Sequence, residues 1–281
     1  MNSYLLGLYE KAMPSALSWR EKLEAARQGG FDYVELSVDE SDEKLARLEM
    51  SGRQRVELLE EMDRAGIRLE SMCLSGHRRF PLGSMDPQVR AESLRIMEQA
   101  ILLARDLGLR VIQLAGYDVY YEPSTPQTEA YFAENLARSV ELAEKYGVPL
   151  AFETMETPFI NTVGKAMAWV RRMDSPYLLV YPDVGNITNA ALSEGGDALG
   201  DLASGAGAIA AIHLKETVPG RFREIPYGTG HVDFSGMIQT GWKLGVRRYL
   251  AEFWYTGGDS WRQDLAAASG FLRGKFLSQT A

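Results

Sequence analysis

Short aliphatic runs alternate with longer amphipathic stretches eight times along this chain, and that repetition constrains its fold more than any other feature. The predicted strands are 5–9, 33–37, 68–74, 111–115, 150–154, 178–182, 209–214 and 249–253. Between them, 15–28, 53–65, 87–107 and 128–146 repeat apolar residues at three- and four-residue spacing, the period of a helix. Glycines punctuate the alternation: Gly29-Gly30, Gly66, Gly108 and Gly147-Val148-Pro149 each close a helix just before a strand. The phrase helix, glycine, strand recurs in Ala65-Gly66-Ile67, Leu107-Gly108-Leu109 and Leu244-Gly245-Val246. It is the connection of a repeated βα unit and not of an antiparallel sheet.

Eight units over 281 residues average about 35 each, which predicts one α/β domain spanning 1–281, a single (β/α)₈ barrel. No interdomain linker interrupts it, and the Gly/Ala/Ser-rich stretch 190–207 is expected to hold a short helix. A doubly wound open sheet competes. Its phosphate loop is missing, because Glu10-Lys11-Ala12-Met13-Pro14 follows the first strand in place of glycines.

Composition removes several function classes. With 30 Lys plus Arg against 38 Asp plus Glu, the net charge is −8, so there is no basic field for nucleic acid. No apolar run approaches the roughly 18 residues of a membrane span. Met1-Asn2-Ser3-Tyr4-Leu5 lacks the basic start of a secretory signal, and the lone Cys73 forms no internal disulfide; both predict a cytoplasmic protein. Gly205-Ala206-Gly207-Ala208-Ile209-Ala210 matches a dinucleotide pattern but precedes its strand, and Asn186-Ile187-Thr188 is a glycosylation acceptor in form only. The acidic run Asp39-Glu40-Ser41-Asp42-Glu43 reads as a solvated helix start, Cys73 as a small buried hydrophobe, and His231 as an exposed loop residue.

In a barrel the chemistry lies where strands finish, so the strand ends are read together. Strands five to eight end on Glu153, Asp183, His213 and Glu252, spaced by 30, 30 and 39 residues, about one βα unit apiece. One donor per consecutive strand converges on a point, and three clustered carboxylates need a cation between them. Three oxygens and an imidazole suit one divalent ion such as Mn²⁺, Zn²⁺, Co²⁺ or Mg²⁺. Strands one to four then present Tyr9, Lys11, Glu35, Gln113, Tyr117 and the basic trio His77-Arg78-Arg79 to a substrate. Arginine forks pair well with phosphate or carboxylate. Lys215, two residues beyond His213, points to the same face, where it would repel a second cation and bind a substrate oxygen.

Three long motifs carry a resemblance. Val34-Glu35-Leu36-Ser37-Val38-Asp39-Glu40, Ser71-Met72-Cys73-Leu74-Ser75-Gly76-His77-Arg78-Arg79-Phe80-Pro81-Leu82-Gly83-Ser84 and Val111-Ile112-Gln113-Leu114-Ala115-Gly116-Tyr117-Asp118-Val119-Tyr120-Tyr121 resemble the L-ribulose-5-phosphate 3-epimerases, as do Gly7-Leu8-Tyr9-Glu10-Lys11-Ala12 and Tyr181-Pro182-Asp183-Val184-Gly185-Asn186. The resemblance implies a xylose-isomerase-like TIM barrel, a sugar-phosphate substrate from pentose or ascorbate breakdown, and a homodimer. It places the four metal ligands on Glu153, Asp183, His213 and Glu252. Free-sugar 3-epimerases carry a histidine three residues after the Asp ligand, where this chain has Asn186, counted here with the substrate-binding residues.

Epimerising carbon 3 of a 2-ketose needs a proton removed from one face and returned to the other. Glu153 and Glu252, three strands apart in a ring of eight, are expected to serve as base and acid beside an ion that polarises the carbonyl. Two alternatives stand: a 3-epimerase or isomerase of unphosphorylated ketoses, and a catalytically silent sugar-phosphate sensor.

Overall fold

A computed structural model describes residues 3–280. Its strands are β1 (Leu5–Tyr9), β2 (Tyr33–Val38), β3 (Arg68–Leu74), β4 (Val111–Ala115), β5 (Leu150–Glu153), β6 (Leu178–Tyr181), β7 (Ile212–Leu214) and β8 (Arg248–Ala251). The helices are α1 (Trp19–Gln28), α2 (Asp42–Leu45), α3 (Gly52–Ala65), α4 (Pro87–Leu107), α5 (Pro126–Tyr146), α6 (Val163–Met173), α7 (Val184–Glu194), α8 (Ala198–Ala203), α9 (Phe234–Lys243) and α10 (Trp261–Thr280). The strands pair in parallel in the order β6-β5-β4-β3-β2-β1-β8-β7. Between β6 and β7 only isolated bridges, Val180↔Ile209 and Asp183↔His213, bring the ring to near closure.

The local signals act as expected. Ser18 and Ser51 cap α1 and α3 in reciprocal boxes with Glu21 and Gln54. Gly66 and Gly108 end α3 and α4 at φ 66° and 71°, backbone that a side chain would strain, and the next strand follows at once. Ser41 caps α2, so the acidic run is a helix start. Asn186 and Thr188 lie within α7.

Two layers of side chains fill the molecule. The larger lies between strands and helices, with Leu6, Val34, Ile112, Phe152 and Leu214 facing Ile101, Leu136 and Leu272. Strand residues, with Ala211 just ahead of β7, form two smaller clusters inside the barrel: Tyr9, Tyr33, Cys73 and Leu250, then Val111, Ala151, Tyr181 and Ala211. Cys73 is buried, as read from its apolar strand.

Two details differ from expectation, and a third is new. Strand β7 begins at Ile212 and not at 209, because Ala210 has already turned its N–H to Val180 O across the open seam. The stretch 190–207 contains two helices, the end of α7 and all of α8, divided at Gly195-Gly196 where the backbone turns left-handed. The register of β2 on β3 slips: Val34 faces Leu69, but Glu35 faces Ser71, leaving Glu70 as the extra residue of a bulge.

Candidate metal centre and substrate pocket

The four strand ends meet. Glu153 Oε1 and Glu252 Oε2 each lie 3.1 Å from His213 Nδ1, and Asp183 Oδ2 lies 4.0 Å from it. One ligand atom from each residue falls within 4.8 Å of all the others. Local structure aims them. Asp183 caps α7 by accepting from Asn186 N with Oδ1, which leaves Oδ2 turned to the cluster. Thr154, next to Glu153, accepts the Asp183 N–H with Oγ1, so two adjacent ligands are fixed to one another. Gln113 of β4 donates to Glu153 Oε2, and the Tyr181 ring packs 4.5 Å from the His213 ring.

The donor set fits a divalent cation. One imidazole nitrogen faces three carboxylates, and a single N–H cannot satisfy them. Asp183 Oδ2 and Glu252 Oε2 are buried without a well-aligned hydrogen-bond donor, although Lys215 Nζ stands 2.9 Å from the first. Three oxygens and one nitrogen are ligands that Mn²⁺, Zn²⁺ and Co²⁺ all accept.

The electrostatics follow from crowding. Burial pushes the Asp183 carboxyl up to about 7, against the pull of Lys215. Burial acts the same way on Glu252, but Lys215 and His213 outweigh it and hold that carboxyl below its usual range. Burial disfavours the charged imidazole of His213, yet Glu35 and Glu252 raise its pKa well above the ordinary value. These shifts describe charges confined together, the situation a bound cation relieves.

A cavity opens over the cluster, lined by Tyr9, Lys11, Arg78, Asn186 and Lys215 together with Glu153 and Glu252. Arg78 is the least committed cation there: its nearest carboxylate, Glu40, is 3.9 Å away, its Nε is buried without a partner, and its guanidinium lies over the Tyr120 ring at 4.6 Å. Lys11 is paired with Asp39 at 2.5 Å, and Lys215 with Asp183. Asn186 donates from Nδ2 to Thr154 O and keeps a buried Oδ1 without a donor.

Five residues expected at the substrate lie elsewhere, and the first, Tyr117, is buried against Ala115 and Met155. His77 is buried against α4, bonded through Nε2 to Ser93 O at 3.1 Å, because its short 3₁₀ turn faces it away from the cavity. Arg79 points to solvent and pairs with Asp42 at 2.7 Å. Glu35 is fully buried beneath the cluster, with His213 Nε2 3.0 Å from Oε1 and Ser71 Oγ donating to Oε2 at 2.6 Å. Gln113 is buried and spends its amide on Glu153. His231, read as exposed, is half-buried, with Nε2 3.0 Å from Thr217 Oγ1.

Sequence reasoning missed Arg223 and Trp254 in the cavity wall. Trp254 stands two residues beyond Glu252, past the end of β8, within reach of the same strand-end logic. Arg223 lies in the long loop after β7, pairing with Glu156 at 3.0 Å. That loop is shaped by buried Glu216, whose carboxylate accepts from Gly228 N at 2.9 Å and Val232 N at 3.2 Å. No residue pattern announces such a contact.

The sequence model of the xylose isomerase-like TIM barrel family matches residues 23–273, and with the fold it places the chain in that class. Among curated proteins, the chain is 43% identical over 271 residues to the L-ribulose-5-phosphate 3-epimerase UlaE of Escherichia coli O139:H28, covering 96% of this chain and 94% of the relative. It is 42% identical over 274 residues to UlaE of Salmonella paratyphi B, with 97% and 95% covered. A further relative of E. coli K12, SgbU, provisionally named for the same activity, is 49% identical over 261 residues, with 90% of each covered. The chain belongs to the L-ribulose-5-phosphate 3-epimerase family, enzymes of the isomerase class. Solved structures share the fold at low identity: a D-tagatose 3-epimerase-like protein at TM-score 0.78 and 17% identity, with 97% of each chain covered, and an L-ribulose 3-epimerase at 0.73 and 21%, with 99% and 94% covered.

Proposed function

We propose that this protein is a divalent-metal-dependent 3-epimerase of ketopentose 5-phosphates that interconverts L-ribulose 5-phosphate and L-xylulose 5-phosphate. One observation carries the reading. Of the four clustered donors, Glu153 and Glu252 keep 6% and 7% exposure towards the cavity, whereas Asp183 and His213 are sealed at 0% and 1%. Two carboxylates from β5 and β8 therefore flank the space a substrate would fill, while the other two residues serve only to anchor. When bound, the divalent ion supplies polarisation of the ketose carbonyl and so acidifies the neighbouring C–H.

The chain's own residues do the rest. One of Glu153 and Glu252 removes the proton from carbon 3, and the other returns a proton to the opposite face, with the roles exchanged in the reverse direction. Gln113 holds Glu153 in place. Tyr9 and Trp254, edge to face at 6.1 Å, form an apolar wall along the carbon chain. Lys215 stands ready to donate to a substrate oxygen. Arg78, with no carboxylate closer than 3.9 Å among the described residues, binds the phosphate.

Incubation with L-ribulose 5-phosphate in D₂O tests this. Deuterium at carbon 3 of both epimers is expected. Deuterium at carbon 1 would show an aldose–ketose isomerase instead. Equal turnover of free L-ribulose would move the reading to unphosphorylated ketoses.

A further inference from the structure

Glu35 Oε1 lies 3.0 Å from His213 Nε2, on the side of the ring opposite the clustered carboxylates. A carboxylate only accepts, so Nε2 donates its proton to Glu35. Nδ1 faces Glu153, Asp183 and Glu252. With Nε2 held in this way, Nδ1 is the nitrogen that would give up its proton and offer its lone pair to an ion among those carboxylates. We infer that Glu35 is a positioning residue for the metal centre: it selects the imidazole tautomer and ring orientation that make His213 a ligand through Nδ1.

The backbone is arranged to permit this. Without the bulge, Glu35 would stand opposite Glu70, two carboxylates side by side inside the barrel. The bulge instead pairs Glu35 with Ser71, whose hydroxyl donates to Glu35 Oε2 at 2.6 Å. Glu70 is taken up by Arg248, Nε to Oε2, at 3.2 Å. Both Glu35 oxygens are thus occupied, and the side chain has no exposure through which to meet a substrate. Among the described ion pairs Glu35 faces only His213. Its negative charge is compensated through the ring, which makes the imidazole a stronger donor to a cation on the other side.

The inference rests on the metal-binding reading of the cluster, and the test separates the two. Affinity of the full chain for Co²⁺ is measured by competition with a chromophoric chelator, together with the visible ligand-field spectrum of the cobalt-loaded protein. Glu35→Ala is expected to weaken Co²⁺ binding by roughly 10–100-fold and to shift the spectrum. Glu35→Gln retains an acceptor without the charge and should lose less, a partial rescue. If the alanine variant fails to fold, the isosteric Gln variant decides. Wild-type affinity and spectrum in the folded variants would overturn the inference, even with a lowered melting temperature, since that pattern marks a merely structural side chain. A wild-type chain that binds no Co²⁺, Mn²⁺ or Zn²⁺ would instead overturn the metal reading itself.

Discussion

Lys215 Nζ lies 2.9 Å from Asp183 Oδ2 and 3.7 Å from Glu252 Oε2, so a lysine charge shares the cluster that faces the proposed ion. Burial opposes that charge, but Asp183 and Glu252 raise the lysine pKa above its ordinary value. Lys215→Met leaves the carboxylates short of one cation. In chelator-treated protein it should cost about 3–5 kcal/mol of unfolding free energy in urea, the usual result of removing one partner from a buried pair. With saturating Mn²⁺ the loss should be clearly smaller, because the ion supplies the missing charge. Equal losses in the two conditions would argue against a shared site.

Glu153→Gln and Glu252→Gln each remove one of the two flanking carboxylates. Each should slow carbon-3 deuterium exchange by roughly 10²–10⁴-fold, the contribution of a positioned acid or base. Metal content measured on the same samples separates lost chemistry from a lost ion. Full exchange in Glu252→Gln would end the two-carboxylate mechanism, and would leave room for a silent sensor.

The two adjacent arginines should behave differently. Arg78→Ala is expected to raise KM for the phosphorylated ketose about 10–100-fold with little change in kcat, the effect of losing a charge-assisted hydrogen bond made equally in ground and transition states. Arg79 spends its charge on exposed Asp42, and Arg79→Ala should leave both constants nearly unchanged. Steady-state kinetics on both variants checks the contrast.

His77 supplies a pH dependence away from the active site. Burial pushes its pKa down to about 4, despite the bond to Ser93 O. The unfolded chain therefore takes up a proton below about pH 6.5 that the folded chain refuses, so stability falls as the pH drops from there towards 4. His77→Gln keeps a donor for Ser93 and removes the titration. Urea unfolding at pH 7 and pH 5 should show a smaller loss in the variant than in the wild type.

The eight-unit barrel and the four convergent donors were legible because both are periodic: each recurs once per βα unit, and strand ends always fall at the same mouth. What escaped was set by contacts across the ring. His77, Arg78 and Arg79 are consecutive, yet a single 3₁₀ turn sends one to α4, one to the cavity and one to solvent. Glu35 and Gln113 lie beneath the cavity, one held by His213 and Ser71 and the other by Glu153, contacts between strands that no run of residues announces. Glu10 shows the same blindness: its buried carboxylate gathers Lys22, Lys44 and Arg47 from three different elements, a cluster no local pattern encodes.

The gap between β6 and β7 is where the ring is held least firmly by its backbone, and Asp183 and His213 stand on its two sides as bridge partners. An ion held by both would act as a cross-link between the first and last strands of the sheet's hydrogen-bonded order. Its binding energy would then appear as barrel stability, growing with the logarithm of the free ion concentration. Backbone amides along this seam, those of Val180, Ala210 and His213, should exchange with solvent more slowly as the ion is added, while amides of the β2–β3 pair change little. The centre proposed for the chemistry would then also be the fastening of the fold, and metal starvation would loosen the barrel from this one edge.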